Sequence, residues 1–313
     1  MSKALHTMLL SALIFVIGCD SAQVADDLLI DSSPADGPCD AAVRVGGFEA
    51  ALNEQFTSVQ GTVADGVTPF LVPNIVAEEG QCRLLSPPSL FCDPSCGAGT
   101  TCDADGLCID TPSSLSVGVV TLEGLLAPVE MEANPPVFFY TNTAPLDHPG
   151  WTEGQRIDLL AAGDVGVGAF AMAAWGITEL ITPQEPVGLD ANQPVNLTWT
   201  AAGEPNLATI NINLNIAQHG GTPGWIECEV ADSGSFEIPL ILSDQLLNSG
   251  FSGWPSVALT RRSVDSFTSD VGCIELSVQS RAVRRIDIPG LISCSGDEDC
   301  PDGQHCQVDL TCG

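Results

Sequence analysis

The cysteines form the clearest chemical pattern in the sequence. Residues 92–108 and 294–312 each hold four cysteines, and the last three follow the spacing C-x5-C-x5-C in both segments. A glycine stands three residues after the first cysteine of each triplet, so the match is an internal repeat. A segment of about 20 residues cannot bury a core, and we expect two disulfides to hold each module. The candidates are Cys92, Cys96, Cys102, Cys108, Cys294, Cys300, Cys306 and Cys312.

Zinc ligation by these thiolates is the alternative. Paired C-x2-C spacing is absent from the sequence, however, and disulfides are the simpler expectation for an exported chain. Within each module, three disulfide connectivities remain open. The other cysteines of the folded part pair most simply as Cys39–Cys82 and Cys228–Cys273, one bond for each large domain.

One short acidic motif resembles part of a calcium loop. Asp103 and Asp105 precede Gly106, and alternating carboxylates before a glycine can converge on a hard cation. A complete loop would need acidic residues where the chain has Thr101 and Pro112. Acidic turn residues inside a disulfide loop are the simpler interpretation. Ca²⁺ is the one cofactor that the sequence suggests, and otherwise we expect none.

Catalytic patterns are poorly represented. The histidines beyond the leader, His148, His219 and His305, each stand next to Gly, Pro or Cys in a predicted loop. Asp232-Ser233-Gly234 resembles the nucleophile segment of trypsin-like proteases, but a turn between strands explains it more simply. The motifs G-x-S-x-G, H-E-x-x-H and G-x-G-x-x-G are absent. We therefore expect a protein that is not an enzyme, with a hydrolase assembled from distant loops as the minor alternative.

Two kinds of residue are candidates for ligand binding. Trp225 and Trp254 lie in Gly/Pro-rich segments, where an indole can stack on a sugar ring or a partner. Five arginines also cluster late in the chain, where they can bind phosphate or carboxylate groups. The alternatives are that the tryptophans close the core and that the arginines form cross-strand ion pairs. These arginines are Arg261, Arg262, Arg281, Arg284 and Arg285.

The charge balance excludes several partners. The chain has 40 acidic and 9 basic residues and a formal net charge of −31, and Lys3 is its single lysine. Nucleic-acid binding needs cations that displace counterions from phosphates, so we expect no nucleic-acid partner. Docking to anionic lipid through a basic patch is disfavoured for the same reason. Removal of the leader would also remove the lysine, which excludes Schiff-base chemistry.

The N-terminus predicts export and lipid anchoring. Residues 1–18 have a short positive start and an apolar run, as in a signal peptide. The residues Val16-Ile17-Gly18-Cys19 resemble a bacterial lipobox, in which the cysteine becomes the acylated N-terminus. Cleavage after Ala22 is the alternative, but it would place Asp20 where a small neutral residue is needed. The chain has 13 cysteines, and setting aside Cys19 as the lipidated residue leaves twelve, an even set that indicates an oxidising compartment.

The remaining chain divides into four predicted regions. Residues 19–38 are an acidic, flexible tether, and residues 39–183 are a β-rich domain with a cysteine-rich insertion at 82–110. Within this domain, Phe48, Leu52 and Phe56 have helical spacing, which predicts one short helix over residues 47–56. Residues 184–291 alternate apolar and polar side chains in about seven short strands, and Ser243–Gly250 predicts a helical turn. Residues 292–313 are the second cysteine-rich module.

The third region, residues 184–291, resembles an immunoglobulin or fibronectin type III sandwich in its strand count, its Leu197-Thr198-Trp199 motif and the spacing of Cys228 and Cys273. It departs from a true immunoglobulin domain because Trp199 precedes both cysteines. With the lipobox, the cysteine modules resemble those of myxobacterial-type surface lipoproteins. We expect a mainly β fold with two β-sandwich-like domains and small disulfide-rich modules.

These resemblances imply a non-catalytic protein that is lipid-anchored in the bacterial cell envelope, with the outer membrane or cell surface favoured and the inner membrane possible. Its expected role is surface display, adhesion or binding of an extracellular glycan or protein. A periplasmic scaffold is the alternative.

Overall fold

Nineteen strands carry the part of the chain that the computed structural model describes, residues 36–217 and 223–313. Short 3-10 turns lie at Pro69–Leu71, Pro205–Leu207 and Asp297–Asp299, and a helix, α1, spans Leu240–Asn248. The strands are β1 (Arg44–Leu52), β2 (Thr57–Ala64), β3 (Asn74–Glu79), β4 (Cys82–Ser86), β5 (Thr100–Cys102), β6 (Cys108–Asp110), β7 (Ser114–Leu115), β8 (Val120–Glu123), β9 (Val129–Met131), β10 (Tyr140–Thr141), β11 (Arg156–Ala161), β12 (Phe170–Trp175), β13 (Val187–Gly188), β14 (Val195–Thr198), β15 (Thr209–Asn215), β16 (Trp225–Ala231), β17 (Ser235–Ile238), β18 (Ser256–Ser269) and β19 (Gly272–Asp287).

One large sheet is the backbone of the fold. Its strands run in the order β10-β2-β1-β19-β18-β15-β16-β4-β3, with β7 paired to β2 and β13 paired to β19. The hairpin of β18 and β19 is its longest element, and its ladder runs from the Ser256–Arg285 pair to the Ser269–Gly272 pair. β1 lies parallel to β19, whereas β15 is antiparallel to β18. We call this sheet the main sheet.

Two smaller layers pack on the same face of the main sheet and enclose two hydrophobic cores. The four-stranded sheet β12-β11-β8-β9 covers β1, β2 and the first half of β19, and Phe48 and Ile157 lie in this core. The pair β14–β17 and helix α1 cover β15, β16 and the first half of β18, with Leu197 and Ile212 inside. The fold is therefore mainly β and sandwich-like, as the sequence predicts.

The alternation of residues in β15 shows why this face is covered. Ile210, Ile212 and Leu214 are fully buried, while the asparagines between them lie on the opposite face. A period of two places every second side chain on one face of a strand, so the apolar set is buried and the polar set is left outward. We call the outward side the outer face.

The predicted boundary between residues 183 and 184 does not separate two sheets. β1 and β2, from the first predicted domain, join β19 in the main sheet, and β4 pairs with β16. Cys82 and Leu84 of β4 lie in the second core. The long β18–β19 hairpin contributes to both cores. Sequence periodicity does not indicate which distant strands pair with each part of this hairpin.

The helix predicted over residues 47–56 is wrong. Residues 47–52 belong to β1, in which Phe48, Ala50 and Leu52 contribute to the first core. Phe56, the third member of the helical pattern, is 57% exposed. Gly61 of β2 lies opposite Phe48, where an added Cβ would come within 2.2 Å of the phenyl ring. The helical turn predicted near residue 243 is present as α1.

The disulfides between distant segments differ from the predicted pairs. Cys39 is bonded to Cys273 and Cys82 to Cys228, so the predicted Cys39–Cys82 and Cys228–Cys273 bonds are wrong. The cause is strand pairing: Cys82 lies directly opposite Cys228 in the β4–β16 ladder. The predicted pairing assumed one bond within each domain, whereas both observed bonds cross the predicted boundary.

Both cysteine-rich modules have the same connectivity, first to third and second to fourth. The bonds are Cys92–Cys102, Cys96–Cys108, Cys294–Cys306 and Cys300–Cys312. Gly99 and Gly303, the repeated glycines, both have positive φ angles, of 80° and 86°. The internal repeat in the sequence is therefore a repeat in structure.

The leader, Cys19 and most of the tether lie outside the described residues. Among the residues that are described, none of the helices has the length and apolar character needed to cross a membrane.

Candidate functional site: a groove on the outer face of the main sheet

The outer face of β15 and β16 carries an ordered set of polar side chains. In the antiparallel ladder Asn211 lies opposite Glu229, Asn213 opposite Glu227, and Asn215 opposite Trp225. These residues are half-buried. Cross-strand neighbours on one face have Cβ atoms about 5 Å apart, so each row presents two side chains to the same ligand.

A groove of about 990 Å³ runs over this face. One wall is the segment 38–44, which the Cys39–Cys273 bond fastens to β19, and the other wall is formed by residues 71–81. Asn213, Trp225 and Glu227 are among the residues of its floor. The groove is therefore built from segments that are far apart in sequence, and the strand pairing brings them together.

The charged groups of the groove are linked to one another. Arg262 donates to Glu229, with Nη2 2.7 Å from Oε2, and its Nη1 lies 3.9 Å from Oε1 of Glu275. Burial alone would lower the pKa of Arg262, but the hydrogen bond and the charges of these glutamates outweigh it and raise that pKa. Arg262 is thus a fixed cation between two carboxylates, and 15% of its side chain is exposed.

Asn211 holds the two glutamates of β16 in place. Its Nδ2 lies 3.3 Å from Oε1 of Glu227 and 3.1 Å from Oε2 of Glu229. Thr209 also donates a hydrogen bond to Glu229. At the neighbouring strand, Arg83 lies 3.8 Å from Glu227, whose side chain is 30% exposed. The floor is a network of amides, carboxylates and guanidinium groups.

Trp225 marks the apolar end of the groove. It also lines an adjoining cavity of about 400 Å³, together with Asn213, Asn215 and the exposed Phe70 and Leu71. An aromatic ring beside amide groups can contact the apolar face of a sugar while the amides bind its hydroxyls. Trp225 is the first residue of β16 and lines the groove. The sequence pattern predicts a Gly/Pro-rich loop at this position.

Trp254 lies elsewhere. It is 40% exposed and does not line the groove. Its neighbour Gly253 donates a backbone hydrogen bond to Asp309 of the C-terminal module and accepts one from the Ser293 hydroxyl. The two tryptophans grouped by the sequence analysis therefore occupy different surroundings.

The predicted arginine patch does not form. Arg261 is buried, 1% exposed, and donates to Asp232, so it cannot meet a ligand at the surface. Arg284 is also buried and donates to the Glu185 carbonyl. Arg285 pairs with Asp287 in an exposed ion pair. The alternation of β18 and β19 distributes these arginines between the two faces of the sheet, and Arg262 is the member that lines the groove.

Arg281 remains on the outer face, beside Glu49 of β1. Burial raises the pKa of Glu49, and a hydrogen bond with Gln279 and the charge of Arg281 offset part of that rise. The side chain of Arg281 is exposed. It serves as a countercharge to a partly buried carboxylate, which fits the cross-strand alternative.

In the predicted calcium loop, backbone amides of the loop itself bind the carboxylate of Asp103. Oδ1 of Asp103 accepts from the amides of Asp105, at 3.0 Å, and Leu107, at 2.8 Å. The acidic residues therefore stabilise a tight turn. The cysteine sulfurs that lie close enough to share a metal, Cys92 with Cys96 and Cys102, and Cys294 with Cys300 and Cys312, belong to disulfides and offer no thiolate.

The described histidines are not assembled into a catalytic set. His148 is exposed and hydrogen-bonded to Thr57. His305 contacts Asp297 at 2.9 Å, and hydrogen bonds from this ring and from the Cys306 amide lower the pKa of Asp297. The third candidate, His219, lies outside the described residues. Ser233 sits in the turn between β16 and β17 and donates to the Ser235 carbonyl.

Sequence reasoning missed most of the groove. It treated the alternating asparagines of β15 as the solvated side of a strand, and it did not single out Glu227, Glu229 or Glu275. One signal was available: three asparagines at every second position of a strand are unusual, because Asn is depleted in strands. Such a row indicates that the amides make specific contacts on that face, as Asn211 does with Glu227 and Glu229.

No family model matches the chain. No curated protein matches it either. Among solved structures, the FN1–FN3 domains of chicken CNTN1 are similar over 72% of this chain and 71% of that chain, with 8% identity and a TM-score of 0.21.

Proposed function

We propose that this protein is a non-catalytic, lipid-anchored protein of the bacterial cell envelope that binds an extracellular glycan in the outer-face groove. Anchoring through Cys19 rests on the lipobox-like residues 16–19 and the apolar run before them. Six disulfides among the described residues support an oxidising compartment. An acidic tether would hold the groove away from the membrane.

The observation that carries the binding proposal is the position of Trp225. It lies on a sheet face in one row with Asn215 and directly beside the row of Asn213 and Glu227. A sugar has apolar C–H faces and a rim of hydroxyls, so it needs an aromatic surface and a dense set of hydrogen-bond donors and acceptors in one place. The groove offers both.

Retention on polysaccharides tests the binding proposal. We expect the detergent-solubilised protein to bind at least one of a panel of insoluble polysaccharides, and Trp225→Ala to reduce retention at least tenfold. Trp254→Ala is the matched control, since this tryptophan lies outside the groove, and it should retain wild-type binding. Equal retention by wild type and Trp225→Ala would overturn the assignment of the groove. Crosslinking to one stoichiometric envelope protein, with no polysaccharide retained, would favour a scaffold instead.

The anchoring proposal has a separate test. Intact mass spectrometry of the protein from its native host should give a chain that begins at Cys19 and carries acyl groups. External protease on whole cells should digest it if the groove faces the surroundings. A chain without lipid that begins elsewhere would overturn the anchoring proposal, and a lipidated but protected protein would place it in the periplasm.

A further inference from the structure

The charge of the groove limits which glycans it accepts. Its lining contains five carboxylates and three guanidinium groups, so the lining is net negative. These groups are Asp40, Glu78, Glu227, Glu229 and Glu275, with Arg44, Arg83 and Arg262. The whole chain, at −31, adds a long-range potential that repels polyanions.

The three guanidinium groups are already engaged by carboxylates. Arg262 lies between Glu229 and Glu275, and Arg44 also reaches Glu275, at 3.8 Å. Arg83 faces Glu227, likewise at 3.8 Å. A phosphate or carboxylate on a ligand would have to displace one of these partners and would then leave that glutamate without its countercharge. The lining therefore disfavours acidic polysaccharides.

Of the carboxylates on the floor of the groove, Glu227 is the one best placed to meet a ligand on Trp225. The exposed Asp40 and Glu78 lie on the walls. Glu275 is nearly enclosed, with 9% of its side chain exposed, and Glu229, although 34% exposed, is bound by Arg262 at 2.7 Å. Glu227 has the longer 3.8 Å pair with Arg83 and retains 30% exposure. It stands two residues from Trp225 on the same face of β16, about 7 Å along the strand. A sugar stacked on Trp225 would present its ring substituents to Glu227.

We propose that the ligand is a glycan that carries free amino groups, that is, a polymer containing unacetylated hexosamine. This inference rests on the proposed glycan binding and specifies its substrate class. An ammonium group is a compact cation with three donors, and it would bind Glu227 through a charge-assisted hydrogen bond while the sugar ring contacts Trp225. N-acetylation removes that charge and that interaction.

Titration calorimetry with three oligosaccharides tests this specificity. The probes are the glucosamine hexamer, the N-acetylglucosamine hexamer and an oligogalacturonate of similar length, each titrated at pH 6 into the detergent-solubilised full-length protein. We expect the amine-bearing hexamer to bind about tenfold tighter than its acetylated form, because one charge-assisted hydrogen bond contributes about that much to the affinity. The oligogalacturonate should bind weakest. Added salt should weaken the amine complex and leave the acetylated complex nearly unchanged.

Two variants identify the carboxylate. Glu227→Gln should abolish the preference, so that the glucosamine hexamer and the acetylated hexamer bind this variant with equal affinity. Glu237→Gln, at an exposed position of β17, is the matched control and should behave as wild type.

The outcomes separate this inference from the proposed function. Equal affinity for the two hexamers, or tighter binding of oligogalacturonate, would overturn the amine specificity while glycan binding stands. Hexalysine that binds as tightly as the glucosamine hexamer, and equally well to Trp225→Ala, would show capture of cationic peptides by charge and overturn the inference. An absence of binding by any oligosaccharide would count against glycan binding itself.

Discussion

Arg261 and Asp232 form an ion pair inside the protein, with Nε 2.7 Å from Oδ2 and neither side chain more than 1% exposed. The remaining donors of Arg261 reach the carbonyls of Thr178, Glu179 and Thr200. The second carboxylate oxygen of Asp232 accepts from the indole of Trp199, 2.7 Å away. One guanidinium group thus fastens the segment that joins the two cores.

Replacement of Arg261 by methionine should be strongly destabilising. It would leave the Asp232 carboxylate buried without its cation, and we expect the free energy of unfolding to fall by about 3–5 kcal/mol. The Arg261→Met/Asp232→Leu double variant should recover only part of this, because the three carbonyls still lose their donor. Urea denaturation measures both. Arg285→Met, at an exposed pair, is the control and should change stability by less than about 1 kcal/mol. If Arg261→Met lowered the free energy of unfolding by as little as this control, the result would contradict the structural role of the ion pair.

Disulfide mapping should distinguish the observed pairing from the simpler alternative. Peptic digestion without reduction is expected to yield linked peptides containing Cys39 with Cys273 and Cys82 with Cys228. Mass spectrometry of the digest reads this directly. Peptides that join Cys39 to Cys82 would refute the strand arrangement around β4.

Loss of the Cys39–Cys273 bond should affect the groove. The Cys39→Ser/Cys273→Ser variant frees the wall formed by residues 38–44, so we expect weaker polysaccharide retention and a loss of about 2–5 kcal/mol in stability. Cys300→Ser/Cys312→Ser removes a bond of the C-terminal module, which does not line the groove, and should leave retention unchanged. If both variants lost binding equally, the wall would have no specific role.

The raised pKa of Glu49 predicts a pH dependence. The folded state holds a proton on Glu49 more tightly than the unfolded state, so this group lowers stability as pH rises from about 4.5 through its folded pKa. Glu49→Gln removes the titration and leaves Gln279 a hydrogen-bond partner. The stability gained by this variant over wild type should therefore be larger at pH 7 than at pH 4, as denaturant melts at the two pH values would show. A constant difference would mean that the carboxyl is not perturbed.

The repeated modules offer a matched backbone test. Gly106 and Leu310 occupy equivalent turns, with φ angles of 76° and 64°, and their amides bond to the Asp103 and Gln307 carbonyls. A left-handed conformation costs a residue with a Cβ about 1–2 kcal/mol. We expect Gly106→Leu to speed dithiothreitol reduction of its module about tenfold, and Leu310→Gly to slow reduction of the C-terminal module. Alkylation and mass spectrometry measure both reduction rates. Slower reduction in Gly106→Leu, or faster reduction in Leu310→Gly, would contradict the equivalence of the two turns.

Local patterns predicted most of the local structure, with the helix over residues 47–56 as the exception. The alternation around Ile212 defined β15, and the cysteine spacing found two modules whose bonds and turns match. Long-range pairing was not predictable, because any apolar-faced strand can pair with several others. The parallel contact of β1 with β19, which connects residues far apart in sequence, therefore had no local signal.

The same limit applies to the candidate site. Trp225 was recognised by its residue type, but its neighbours in the groove come from β4, β15 and the segment 38–44. Arg261 and Arg262 are adjacent in sequence, yet one is enclosed with Asp232 and the other lines the groove. The two side chains point to opposite faces of β18. Only knowledge of which face of the sheet is covered could have distinguished their roles from the sequence.

The Cys39–Cys273 bond also has a mechanical consequence. A pull transmitted through the residues before Cys39 would otherwise reach Arg44 first and strip β1 from the sheet. With the bond in place, the tension enters β19 at Cys273, and β19 is flanked by β1 on one side and by the full length of β18 on the other. The force then acts on a central strand and bypasses β1. Under the proposed anchoring through Cys19, the groove would therefore stay folded while the attachment is under load.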